Sequence, residues 1–205
     1  MSARDAILGA LRGAPVDTAR LDAEAAALVA SIERPAVDPT ALRSAFLDRL
    51  AQPGLGATVA PIADFAALPA AVAFYMAEHD LPRALYLPPD PRLMAADWRD
   101  FDVRPSTAPD EAVVIAVARC GVAETGSLVL ETGPDAPMLP NFLGLHHLVV
   151  VPRIVAYLED ALRDHPAPRA HYWITGVSGT TDIEGSYVRG AHGPRFLHVL
   201  PLDGA

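Results

Sequence analysis

The run EAVVIAVARCGVAETGSLVLETG, residues 111–133, decides how this chain folds. Its first half, EAVVIAVARCG, is almost continuously apolar and rich in Val and Ile, which is the pattern of a strand buried on both faces. Its second half, GSLVLETG (126–133), has the same character. Few residues separate the two, so they read as a hairpin or a closely spaced pair of strands. A sheet with strands buried this deeply needs cover on both sides, and the flanking sequence supplies candidates for it.

Upstream, ATVAPI (57–62), RALYLP (83–88) and DVRPS (102–106) read as short strands. Helices are expected between them, over 64–80 with Pro69 near the start or at a kink, and over 91–98. Downstream, HHLVVVP (146–152), RAHYWITG (169–176) and RFLHVLPL (195–202) are expected strands. RIVAYLEDALRDH (153–165) places Ile154, Leu158 and Leu162 on one helical face, and TDIEGSYVRG (181–190) reads as a short helix. This alternation predicts an α/β fold, a three-layer arrangement around a mainly parallel sheet. Three helices precede it, over 2–12, 17–35 and 38–54. In the third, Asp38 is a candidate cap, Pro39 suits the first turn, and Leu42, Phe46 and Leu50 repeat every four residues. The expected organisation is an N-terminal helical appendage, 1–55, and an α/β core, 56–205.

Composition removes several function classes. The 205 residues are 51% hydrophobic and 20% charged, with a net charge of -9. No basic stripe is present for nucleic acid, and the acidic surface would be repelled by an anionic membrane. The longest clean apolar run, AVVIAVA (112–118), is too short to span a bilayer, and the first residues lack a secretory pattern, so membrane insertion is not expected and a cytoplasmic location is. Every positive side chain is Arg; without Lys there is no Schiff base and no P-loop lysine. The single cysteine, Cys120, ends an apolar run and reads as a buried, inert thiol. An iron–sulfur cluster needs about four protein ligands, so no such cluster and no other cofactor is expected in this chain.

Two polar segments are candidates for chemistry. In the first, Glu124 is flanked by small residues between the two apolar strands, followed by Thr125, Gly126 and Ser127. A carboxylate so placed suits a general base, a general acid or an acyl-accepting nucleophile, while the alternative is an ordinary tight turn. The second is GVSGTTDIEGSYVRGAHGP, residues 176–194. Thr181 and Glu184 have the spacing of a capping box, with Asp182 in the first helical turn. Ser178 and Thr180, in the preceding glycine-bearing loop, are candidate donors to an anion. His192 is either a proton carrier or a loop residue. His146 and His147, adjacent on a strand, point to opposite faces and form no metal site by themselves. In such sheets ligands usually sit beyond the carboxyl ends of the strands, where both segments are expected.

The motifs AETGSLVL, HHLVVVPRIVAYLEDAL and TDIEGSYVRGAHGPRFLHVL together resemble the lactate-utilisation protein C family, the LUD-domain or YkgG-type proteins. The most specific elements are Ala123-Glu124-Thr125-Gly126, Asp182-Ile183-Glu184 and His192-Gly193-Pro194. The resemblance implies the fold of glucosamine-phosphate deaminase, ribose-phosphate isomerase and the CoA transferases. It also implies a part in oxidising L-lactate to pyruvate beside partner proteins that hold the iron–sulfur clusters. Here Val177 and Gly179 stand where the family's loop has a Pro and a basic residue. The expected function is therefore a cluster-free subunit or accessory protein that binds a small anionic ligand. Glu124 and His192 are the candidate proton carriers; Thr125, Gly126, Ser127, His147, Ser178, Thr180, Thr181, Asp182 and Glu184 are the candidate ligand contacts. A sugar-phosphate isomerase-like or CoA-transferase-like enzyme, with Glu124 as nucleophile, and a binding module without chemistry are the alternatives.

Overall fold

The computed structural model describes residues 2–12, 17–30, 34–109, 111–162, 169–181 and 183–205. It divides into two compact units, Met1–Ala36 and Val37–Ala205. The first holds α1 (Ala3–Arg12) and α2 (Thr18–Ala30). In α1, Asp5 N–H donates to Ser2 Oγ at 3.2 Å and Ser2 N–H donates to an Asp5 carboxylate oxygen at 3.1 Å, a reciprocal cap. No residue of α2 is buried.

The second unit is the α/β body. Its central sheet has six strands in the order β1 (Ala57–Val59), β12 (Phe196–Pro201), β7 (His146–Val151), β4 (Val113–Val117), β2 (Ala84–Tyr86) and β3 (Asp102–Arg104), all parallel. Alternate residues of the strands serve two cores, as the period of two requires. On one face Val113, Ile115, Leu148, Val150 and Leu200 pack with Leu68, Val72 and Met76 of α4 (Leu68–Glu78) and Leu93 of α5 (Pro91–Met94). Pro69 sits in the first turn of α4, where its missing N–H costs nothing.

The other face carries Ala116, Val149, Val151, Leu197 and Val199. Phe46 and Leu50 of α3 (Leu42–Leu50) join them, together with Leu128 and Leu130 of a second sheet. That sheet runs β8 (Ile154–Val155), β5 (Cys120–Val122), β6 (Ser127–Glu131), β9 (His171–Ile174). The expected hairpin is β5–β6, antiparallel, with Val122 opposite Ser127.

The sequence expectation needs correction in several places. The strand expected over 111–121 is two strands in two sheets, broken at Ala118-Arg119, where Ala118 N–H bonds to Val150 O but Arg119 N–H bonds to Val129 O. The helix expected over 153–165 is β8 followed by a single 3-10 turn, Leu158–Ala161, and 163–165 lie outside the described residues. The helix expected over 181–190 is instead the far side of a hairpin, β10 (Gly179–Thr181) with β11 (Tyr187–Arg189). Asp38 does not cap α3: its Oδ1 accepts from Thr40 N–H, closing a turn, and the cap position is Ala41. The division between units falls after Ala36, and α3 is part of the α/β body.

Cys120 is fully buried, and burial pushes its thiol pKa up. No helix among the described residues is long and apolar enough to cross a membrane.

Three histidines on two central strands are buried: His146 and His147 on β7 and His198 on β12. Burial lowers His146 and His198 to about 4, helped by the nearby His79, and lowers His147 to about 3. All three fold as neutral rings, whereas the unfolded chain binds protons near the ordinary value of about 6.5. Stability is therefore complete above about pH 6.5 and falls as the pH drops toward the folded-state values. Between pH 7.5 and 5.5 the loss is about 4 kcal/mol for the three together. Urea unfolding at the two pH values measures it; an unchanged midpoint contradicts this account.

Candidate functional site

The site is built on one backbone contact. After β9 the chain turns at Gly176, whose φ is +90°, and a Cβ there would lie 2.6 Å from Leu55 O. Only glycine permits this approach. Val177 N–H then donates to Leu55 O at 2.8 Å, fixing the loop after β9 against the segment between α3 and β1. Ser178 N–H donates to Pro194 O at 3.2 Å, and Gly190 N–H donates to Ser178 O at 2.8 Å. These bonds close the base of the β10–β11 hairpin and bring residues 176–179 beside 192–194.

Between this loop pair and the central sheet lies a cavity of about 310 Å³. Its polar lining includes His147, Asn141, Thr175, Ser178 and His192; Phe142 and Trp173 supply aromatic surface. His147 and Leu197 are the second residues of β7 and β12, so the cavity sits at the amino ends of these strands. The sequence placed it beyond the carboxyl ends. The reversal follows from the second sheet, whose strand β9 delivers the loop to the opposite edge of the parallel sheet.

His147 is the unusual group. It is 1% exposed, and neither ring nitrogen has a hydrogen-bond partner. An unpaired buried polar group costs about 1–3 kcal/mol. Its neighbour His146 faces the other way and shares a 2.9 Å hydrogen bond with Tyr75 O–H. Asn141 Nδ2 donates to the Tyr172 hydroxyl, which leaves the Asn141 carbonyl oxygen for other contacts. No Asp, Glu or Arg lines the cavity among the described residues.

The turn around Glu124 touches this site only indirectly. Thr125 Oγ1, Ser127 Oγ and Thr175 Oγ1 form a chain of hydroxyls at 2.7 and 2.6 Å, and Thr175 is its end at the cavity. Glu124 is half-buried, its N–H bonds to Ala156 O at 3.0 Å, and it is not part of the lining. Gly126, with φ +73°, packs its turn against Arg49 at the end of α3. Thr180 and Thr181 pair with Val188 and Tyr187 in the hairpin, and Glu184 is exposed at its turn. None of these three lines the cavity. Asp182 lies outside the described residues. The structure thus brings His147, Ser178 and His192 together, connects Ser127 and Thr125 to them through Thr175, and leaves the other described candidates apart. With no helix at 181–190, Thr181 and Glu184 form no capping box. Among the described residues no three His, Cys, Asp or Glu side chains are arranged to hold a metal.

Residues 108–201 match the LUD domain model. This is the family whose motifs the sequence resembles. An uncharacterized protein of Neisseria meningitidis serogroup B is 32% identical over 92 residues, 42% of this chain and 40% of that protein's length. The crystal structure of a DUF162 family protein from Deinococcus radiodurans superposes with a TM-score of 0.55 at 19% identity, over 82% of this chain and 99% of that one. At that identity the likeness establishes the fold, a mixed α/β body with a mainly parallel central sheet. The cavity's lining residues, from Asn141 to Leu197, all fall inside the LUD segment.

Asn141, Phe142, Trp173 and Thr175 were missed from sequence. The signal for Thr175 was weak but present: it immediately precedes Gly176 at the end of a strand, where the chain must turn. Asn141 sits in a Pro-rich run without periodicity and gives no such signal.

Replacing Gly176 by Ala forces a β-carbon onto Leu55 O and a left-handed conformation on an L-residue. A loss of about 1–3 kcal/mol or more is expected from the backbone strain alone. Urea unfolding measures it, and Trp173 fluorescence in the folded variant reports the displaced loop.

Proposed function

We propose that this chain is a cytoplasmic, cluster-free subunit or accessory protein of an L-lactate-oxidising system, and that its cavity binds a small carboxylate such as the substrate or product. The observation that carries the ligand part is His147, a sealed imidazole with both nitrogens unpartnered at the wall of a cavity. Asn141, Thr175, Ser178 and His192 supply further hydrogen-bonding groups around the same space. A three-carbon hydroxy or keto acid carries a carboxylate and one neighbouring oxygen, which suits several neutral donors converging from different elements. The LUD match supports the pathway.

The single cysteine is consistent with a cluster-free subunit, and in this reading electron transfer belongs to iron–sulfur partner proteins. This chain would hold or deliver the ligand while the partners take the electrons. Glu124, which a CoA-transferase-like mechanism would use as nucleophile, lies outside the cavity lining, and this favours ligand binding over acyl transfer.

Affinity capture from the native cytoplasm is expected to retain iron–sulfur proteins, recognised by their visible absorption and acid-labile sulfide. Deleting the gene is expected to impair growth on L-lactate but not on glucose. Calorimetry with L-lactate and pyruvate is expected to show saturable binding that His147→Gln weakens at least tenfold. Unimpaired growth on lactate together with capture of no cluster protein refutes the pathway assignment; absence of binding by either acid refutes the ligand.

A further inference from the structure

The charge balance of the cavity deepens the proposal of carboxylate binding and rests on it. A carboxylate moving from water into a cavity of about 310 Å³ loses hydration that neutral donors replace only partly. Buried charges are normally paired, and the usual partner would be Arg or Lys. This chain has no lysine, and no arginine lines the cavity among the described residues. Val177 and Gly179 occupy the loop, and neither bears charge. The side chains in the described lining that are able to become cationic are the two imidazoles, His147 and His192.

Their settings differ. His192 is exposed on the loop before β12. His147 is sealed at the wall, flanked across the sheet by Val114 and Leu197, which offer no hydrogen bond. From α6 (Pro140–Leu143) come Asn141 and Phe142; from β9 and its loop come Trp173, Thr175 and Ser178. The titratable and charged groups around the cavity are His192 in its lining, Tyr172 behind Asn141, Tyr187 and Arg189 of β11 beside Gly179 and Val177, and His146 and His198 on the opposite face of the sheet. Among the described residues these groups include no carboxylate. Nothing in the empty cavity therefore favours an imidazolium, and an incoming carboxylate would be the first negative charge that His147 meets.

We infer that the cavity takes up a monocarboxylate together with one proton from solvent, and that His147 accepts this proton to form a buried imidazolium–carboxylate pair. The balance is simple: neutral ring, carboxylate and proton give a neutral ion pair, and no bond to carbon forms or breaks. Buried ion pairs form when neither member is left alone, so ligand and proton enter together and leave together. The site selects monoanions, because one imidazolium neutralises one carboxylate; a dicarboxylate or a phosphate dianion would bury an uncompensated charge. It equally disfavours the uncharged amide of the same acid, which gains nothing from the proton.

Burial holds the ring of His147 near 3 in the empty protein. An opposite charge within about 4–6 Å raises such a value. Affinity for the carboxylate is therefore expected to rise as the pH falls.

The test measures binding and proton uptake separately. Calorimetry with L-lactate at pH 6.0, in two buffers of different ionisation enthalpy, is expected to show net proton uptake, absent with lactamide. Nitrogen-15 spectra of ring-labelled protein at saturating L-lactate identify the acceptor: the His147 signals move toward the doubly protonated position between pH 7.5 and 5.5, and without ligand they do not. His192→Gln retains this movement, and His147→Gln, checked for folding by circular dichroism, abolishes the proton uptake. Lactate binding with His147 neutral throughout overturns this inference and leaves the ligand assignment standing. Failure of L-lactate and pyruvate to bind at any pH overturns both. Equal affinity for lactate and lactamide, or uptake that disappears only in His192→Gln, also overturns it.

Discussion

The α/β body depends on the contact between Phe46 and Gly121. The Phe46 ring lies so close to β5 that a β-carbon on Gly121 would sit 2.7 Å from it. Through this contact α3 reaches both sheets at once, since Phe46 shares a cluster with Val149 and Leu197 of the central sheet and with Leu128 and Leu130 of the second. Aromatic burial of this kind is worth about 3–5 kcal/mol on truncation, a large part of a small domain's stability. The position of the cavity follows from it. With α3 fixed, the turns that follow it, Gln52 N–H to Arg49 O and Leu55 N–H to Gln52 O, hold Leu55, and Leu55 O is the atom on which the Gly176 turn rests.

Much of the fold was legible because buried parallel strands leave continuous apolar runs. VVIAV, HLVVV and FLHVLP are found as central strands, and the β5–β6 hairpin stands where two such runs almost touch. What was not legible has physical causes. The break at Ala118-Arg119 leaves no mark because both halves are apolar; the chain changes sheet by redirecting one N–H. Ile154, Leu158 and Leu162 recur every four residues, which fits a helix but also fits a short strand followed by one tight turn. In 181–190 the capping-box spacing competed with a hairpin whose Gly185 has φ +84°. A glycine that needs such a conformation is stronger evidence for a turn than a Thr-x-x-Glu spacing is for a helix.

The site was legible in part for a related reason. The rule that neighbours on a strand face opposite ways separated His146 from His147, and the structure places one against Tyr75 and the other at the cavity. The loop bearing Ser178 and the segment bearing His192 stood out through glycine and hydroxyl content. Glu124 stood out equally, yet its turn packs against α3 and reaches the cavity only through Ser127 and Thr175. Sequence reports which residues are polar among small neighbours; it does not report which of two adjacent loops faces the hollow.

The cavity's two walls differ in how tightly the chain is held. His147 belongs to a strand with parallel neighbours on both sides in the middle of six, whereas the β10–β11 hairpin pairs only with itself and has no buried residue among those described. Amide protons behind His147 are expected to exchange with solvent only on global opening, and those of the hairpin through local fraying. The histidine thus presents an unyielding surface whose chemistry is set by the fold, while the chain beyond Gly179 yields more readily.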